Sequence, residues 1–157
     1  MEDSPAGSPS VAVPAELDGL VLALDHVGVA VRDLDEAVER YTMALGVSVV
    51  HRETVESQGV DEVLLALGPS FLQLVGARGP DTPVGRFLGK RGPGVHHVGY
   101  RVASVADALE HLRAEGIGLI DEAPRPGSRG TTIAFVQPKD TGGVLVELVE
   151  APEGRGT

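Results

Sequence analysis

The chain of 157 residues contains no cysteine and no tryptophan, and aromatic residues make up only 3% of it. Without thiols, a disulfide framework is excluded, and so are thiolate nucleophiles and ligands. The core must then rest on aliphatic burial, and a chain this long with 42% hydrophobic residues can build one domain that way. No apolar run approaches the roughly 20 residues that span a bilayer, so no membrane partner is expected. Positive charge is also scarce: 13 Lys and Arg against 23 Asp and Glu give a formal net charge of −10. That balance argues against a nucleic-acid binder, because phosphate contacts need clustered cations. The N-terminal residues lack the basic and apolar regions of a secretory signal, so a cytoplasmic location is expected.

What is present is a duplication. Residues 1–19, rich in Pro, Ser, Ala and Gly, read as a disordered leader, and residues 151–157 read as a flexible tail. Between them, 20–150 read as one domain of two modules, about 22–77 and about 94–150, joined by a linker over 78–93. The stretch DHVGVAVRDLDEAVERY from Asp25 aligns with HHVGYRVASVADALEHL from His96, at an offset of 71. Each copy predicts a strand (Leu24–Val31, Val95–Val102) followed by an amphipathic helix (Leu34–Leu45, Val105–Glu115). Gly46 and Gly116 follow these helices, as expected of residues that take the left-handed cap conformation without a Cβ penalty. Three further strands are predicted in the first copy, Val47–Arg52, Glu62–Leu67 and Phe71–Val75. The second copy predicts Gly118–Asp121, Thr131–Gln137 and Val144–Val149, and the linker a short helix near Val84–Leu88. The expected class is α+β: two βαβββ modules sharing one curved mixed sheet, with helices outside and a central cavity.

Strand alternation sorts the polar residues. His26 shares a face with Gly28 and Ala30, and His97 with Gly99 and Arg101, while Val27, Val29 and Val31 form the row that packs under a helix. The segments FLQLV (71–75) and LVELV (145–149) each carry one polar residue, Gln73 or Glu147, in the middle of an apolar strand. A buried carboxylate needs a partner or a metal. Any one of these four residues alone reads as a satisfied core side chain; their matched positions in two modules point instead to a metal. Two nitrogen and two oxygen donors suit a divalent first-row ion and leave two octahedral positions for a chelating ligand. His51 and His111 have no such context and are expected at the surface. His96 falls in the packing row and is expected to be structural or to support a ligand from behind, not to be a ligand itself. Glu62 opens a predicted strand, and the pattern allows either a cavity-facing carboxylate or an ordinary solvated one.

These segments, with QGVDEV, GVHHVGYRV and IDEAPRPGSRGTTIAFVQPKDTGGVLVEL, resemble the vicinal oxygen chelate superfamily, and within it the methylmalonyl-CoA epimerases, from about Leu24 to Glu150. The resemblance implies the paired-module fold with a central metal cavity, a homodimer, and an acyl-CoA substrate, methylmalonyl-CoA. It implies an isomerase that interconverts the 2R and 2S epimers by removing and returning the α-proton. It places a divalent ion on His26, Gln73, His97 and Glu147, cobalt first, with manganese, nickel and zinc as alternatives. It places the catalytic glutamate on Glu62 and a second acid–base role on Glu147. The phosphates of CoA would need local cations, for which Arg86, Lys90, Arg91, Arg125 and Arg129 are candidates. The rival expectations are a glyoxalase-like lyase, an extradiol dioxygenase, or a drug-binding resistance protein without catalysis. A dioxygenase iron site would carry no Gln ligand, and drug-binding relatives typically lack the metal set.

Overall fold

The computed structural model describes residues 20–153, so the leader expected over 1–19 and the tail from 154 onward lie outside the described residues. In chain order the elements are β1 (Val21–Val31), α1 (Leu34–Leu45), β2 (Val49–Val55), β3 (Val60–Leu67), β4 (Ser70–Ala77) and α2 (Pro83–Arg91). The second half supplies β5 (Gly94–Val102), α3 (Val105–Ala114), β6 (Arg125–Pro126), β7 (Thr132–Val136) and β8 (Val146–Glu150). The strands form one mixed eight-stranded sheet in the order β2-β3-β4-β1-β5-β8-β7-β6. The first strand of each module runs parallel to its last, β1 with β4 and β5 with β8. The modules join through β1 and β5, which pair antiparallel at the centre of the sheet.

Local sequence explains the helices. Asp33 caps α1 by accepting from the Glu36 N–H, and Gly46 ends it with φ 64°. Ser104 caps α3 in the same way through the Asp107 N–H. Helix α1 buries Val38 against Val31, Val63, Leu65, Leu72 and Leu74, and the predicted row of Val27, Val29 and Val31 belongs to this cluster. Helix α3 does the equivalent with Val105, Ala108 and Leu109 against Val102, Ala134 and Leu148. The linker helix α2, opened by Thr82 and Pro83, is longer than predicted and does not lie outside with the others. Its Val84 and Leu88 pack on the opposite face of the sheet, with Ala30, Val55, Val60 and Val75. That helix therefore covers part of the concave side. None of the helices among the described residues is long and apolar enough to cross a membrane.

The modules differ most at the strand expected over Gly118–Asp121. That segment makes a single bridge, Leu119 to Val136, in place of a ladder. The cause is Asp121, whose carboxylate accepts the Phe135 N–H at 2.8 Å and so takes a position that a backbone carbonyl would need. The edge is instead the two-residue strand β6. The shortened edge leaves Ile120 and Arg125 to line a pocket beside His97.

Candidate metal centre

Two glycines organise the centre of the sheet. Gly28 of β1 stands opposite His97 of β5 and in register with Gln73 of β4. Gly99 of β5 stands opposite His26 of β1 and in register with Glu147 of β8. Each predicted donor is thus one strand away from a glycine, and each imidazole lies over the glycine facing it. A Cβ on Gly28 would come within 2.2 Å of Cε1 of His97, and one on Gly99 within 2.3 Å of Cε1 of His26. Only a residue without a side chain leaves room for the rings.

The donor atoms converge. Nε2 of His26 and Nε2 of His97 lie 2.9 Å apart. Oε2 of Glu147 is 3.2 Å from Nε2 of His97 and 3.6 Å from Nε2 of His26. All three residues are buried, and so is Gln73. The Gln73 amide donates through Nε2 to Oε2 of Glu62, while its own Oε1 has no hydrogen-bond partner. A buried acceptor without a partner is costly, and here it belongs to the fourth residue of the predicted donor set. The buried His-His-Glu group and the free amide oxygen fit a divalent cation.

Strand alternation breaks beside both histidines, for the same reason in each module. The pairing of β1 with β5 skips Asp25 between Leu24 and His26, and skips His96 between Val95 and His97. Each skipped residue is the extra member of a β-bulge, which re-aims its side chain. The expectation that His96 lies on the outer face with Val98 and Tyr100 is therefore corrected: it turns to the concave side, beneath α2 and next to His97. Its ring faces Phe87 and His97 at centroid distances of 5.0 and 5.2 Å, with Nδ1 3.0 Å from Nδ1 of His97. Burial first, and then His97, push the His96 imidazole down to about 4, so it stands neutral at pH 7.

Asp25, the repeat-equivalent of His96, is a site residue that sequence reasoning missed. Its Oδ2 lies 2.7 Å from Nδ1 of His26 and accepts from Arg129 at 2.9 Å, while Oδ1 accepts from Arg101 at 3.0 Å. The available signal was an aspartate in an otherwise apolar row directly before a candidate ligand. Burial works against its ionisation, yet His26 and the two arginines hold the Asp25 carboxyl down at about 2. Burial would likewise lower the His26 imidazole, but the Asp25 and Glu147 carboxylates overcome it and hold that ring up at about 9. Below that pH, metal entry must displace a proton, so affinity should rise by about tenfold per pH unit up to about 9. Asp25→Asn should lower that limit and, above about pH 9 where proton competition is absent, weaken metal binding by roughly 10–100-fold, as read by calorimetry across pH.

Glu62 is the third residue of β3 and not a solvated strand start: it is 2% exposed. Burial raises its carboxyl above the ordinary range, opposed by the Ser128 and Gln73 side chains and assisted by the charges of Glu53 and Glu147. His51 is half-buried beside Glu53, not free at the surface, whereas His111 is exposed. Among the candidate phosphate cations, Arg129 is committed to Asp25 and stacks 4.8 Å from the Phe71 ring, so it is not available to a phosphate. Arg125 lines the pocket beside His97, together with Val60, Val75, Val84, Phe135 and Leu145.

The family model for the Glyoxalase/Bleomycin resistance protein/Dioxygenase superfamily matches residues 25–135. The mitochondrial methylmalonyl-CoA epimerase of Homo sapiens is 36% identical over 129 residues, which cover 82% of this chain and 73% of that protein. The chain belongs to the methylmalonyl-CoA epimerase family. The crystal structure of the epimerase from Mycobacterium tuberculosis is 42% identical, with a TM-score of 0.83 over 87% of this chain and 93% of that one. A variant of the Streptomyces coelicolor epimerase in complex with 2-nitronate-propionyl-CoA is 39% identical, with a TM-score of 0.81 over 83% and 98% of the two chains. Enzymes of this superfamily use divalent metals, and the His26, His97 and Glu147 group suits one.

Proposed function

We propose that the protein is a metal-dependent epimerase that interconverts (2R)- and (2S)-methylmalonyl-CoA, acting as a cytoplasmic homodimer. The observation that carries this reading is the contact between Gln73 and Glu62. It sets a buried carboxylate, free of the donor set, directly against that set. The epimerases to which the chain is similar support the substrate class.

His26, Gln73, His97 and Glu147 would hold the ion, cobalt(II) first and otherwise manganese, nickel or zinc. When bound, it supplies Lewis-acid stabilisation of the negative charge that develops on the substrate's chelated oxygens. Glu62 takes the α-proton from one face of the substrate, and its raised pKa brings it nearer the strength needed of a base at neutral pH. Glu147 is the candidate to hold the proton at the other face. Gln73 orients Glu62 through its amide N–H, and the apolar walls of the pocket beside His97 exclude water from the acyl group. Arg125 lines that pocket, paired with Asp121 at 3.2 Å, and stays with Arg86, Lys90 and Arg91 as a phosphate candidate.

The test is α-proton exchange in deuterated water across several 2-substituted malonyl-CoA thioesters, with and without added divalent metal. Exchange that depends on the metal and is fastest with methylmalonyl-CoA is expected. Absence of exchange with every thioester, metal present, would sink the proposal.

A further inference from the structure

If the epimerase reading holds, Glu62 must lose the proton it takes from substrate before it can act again as the base in the same direction. Its carboxylate is buried, and the Gln73 amide bound to it is a donor with no capacity to accept a proton there. The edge strand β2 offers a way out. Glu53 is the cross-strand partner of Glu62, and His51 lies two residues earlier on the same face. One carboxylate oxygen from each glutamate and one ring nitrogen of His51 all lie within 4.8 Å of one another. Nε2 of His51 is 2.9 Å from Oε2 of Glu53, and that oxygen also accepts the Arg129 backbone N–H at 2.9 Å. Arg129 holds this position with φ 58°, an uncommon left-handed conformation for a non-glycine residue.

Exposure rises from β3 to β2. Glu62 is 2% exposed, whereas the His51 and Glu53 side chains are 33% and 36% exposed. The other charged groups there have their own partners. Arg52 bonds Asp35, Asp61 accepts from Thr54 and Arg78, and the Arg129 guanidinium bonds Asp25.

We propose that Glu53 and His51 are the proton outlet of Glu62, linking the buried carboxyl to bulk water. Protonated Glu62 gives its proton to the Glu53 carboxylate across one bridging water, and Glu53 passes it to a neutral ring nitrogen of His51. The imidazolium then releases it to solvent or buffer. Glu62 returns to the carboxylate, and only O–H and N–H bonds are made or broken.

The test uses the metal-loaded, full-length protein and follows methylmalonyl-CoA epimerisation in a bulky buffer and in rising imidazole. His51→Ala removes a half-exposed side chain and should lower kcat by roughly 10-fold with KM unchanged, and free imidazole should restore it. Glu53→Gln retains an oxygen to accept the Arg129 N–H but cannot relay a proton, and it should lower kcat to a similar extent. A pair that only braces the Arg129 loop would give no imidazole rescue. Wild-type kcat in both variants, or a loss in His51→Ala that imidazole does not repair, overturns the outlet. A wild-type protein that turns over no methylmalonyl-CoA fails the assigned function instead, a result visible before any variant is made.

Discussion

Glu62→Gln is expected to abolish α-proton exchange of methylmalonyl-CoA while the protein keeps its metal. The substitution preserves shape and volume, and the new amide can still offer an oxygen to the Gln73 N–H that now bonds the carboxylate. What disappears is the capacity to accept a proton. A positioned general base is worth on the order of 10²–10⁴ in rate, so kcat should fall at least 100-fold. Metal content should stay at the wild-type value, because Glu62 is outside the donor set. Exchange within tenfold of wild type would mean that another group takes the proton.

Gly99→Ala should be as damaging by an unrelated route. The added methyl would sit 2.3 Å from Cε1 of His26, well inside van der Waals contact. The obstacle is an imidazole fixed at both ends, by Asp25 at Nδ1 and by His97 and Glu147 around Nε2. It has no free end to swing away. The ring must move, and a displaced ligand costs more than the 10–100-fold seen when only a ligand's partner is lost. Metal affinity measured by competition with a chelator should drop by roughly 100-fold or more. Gly28→Ala should do the same to His97, where the clash is 2.2 Å. An alanine variant with wild-type metal affinity would show that the imidazoles do not bind in the positions described.

Much of this was legible in the chain because the duplication carried it. Helix α1 runs from Leu34 to Leu45 as the apolar spacing and Gly46 predict, and the row Val27, Val29 and Val31 packs toward it. The four donors were singled out because each interrupts a strand at a matched position. What stayed hidden were departures from strict alternation. A bulge has no signature in hydrophobic period, so strict alternation puts His96 on the wrong face and gives Asp25 no role. The segment 118–121 looks like a strand by composition, and the Phe135 N–H donated to the Asp121 carboxylate undoes it. His51 and Glu53 gave no signal because their meaning lies in the strand beside them.

The two halves place a carboxamide and a carboxylate at equivalent stations, Gln73 on β4 and Glu147 on β8. The likeness between modules is therefore deliberately incomplete in its chemistry. A carboxylate at position 73 would meet Glu62 as a second anion, and one of the two would have to hold a proton. The amide can offer its oxygen toward the donor set and its N–H₂ to the base at the same time. In charge terms the proposed site is a ramp: the anionic candidate ligand Glu147 lies on one side of the cavity, the neutral candidate Gln73 on the other, and the proposed base Glu62 beside Gln73. A chain with Gln73 and Glu147 exchanged would keep its composition and its fold while turning that ramp against its own base.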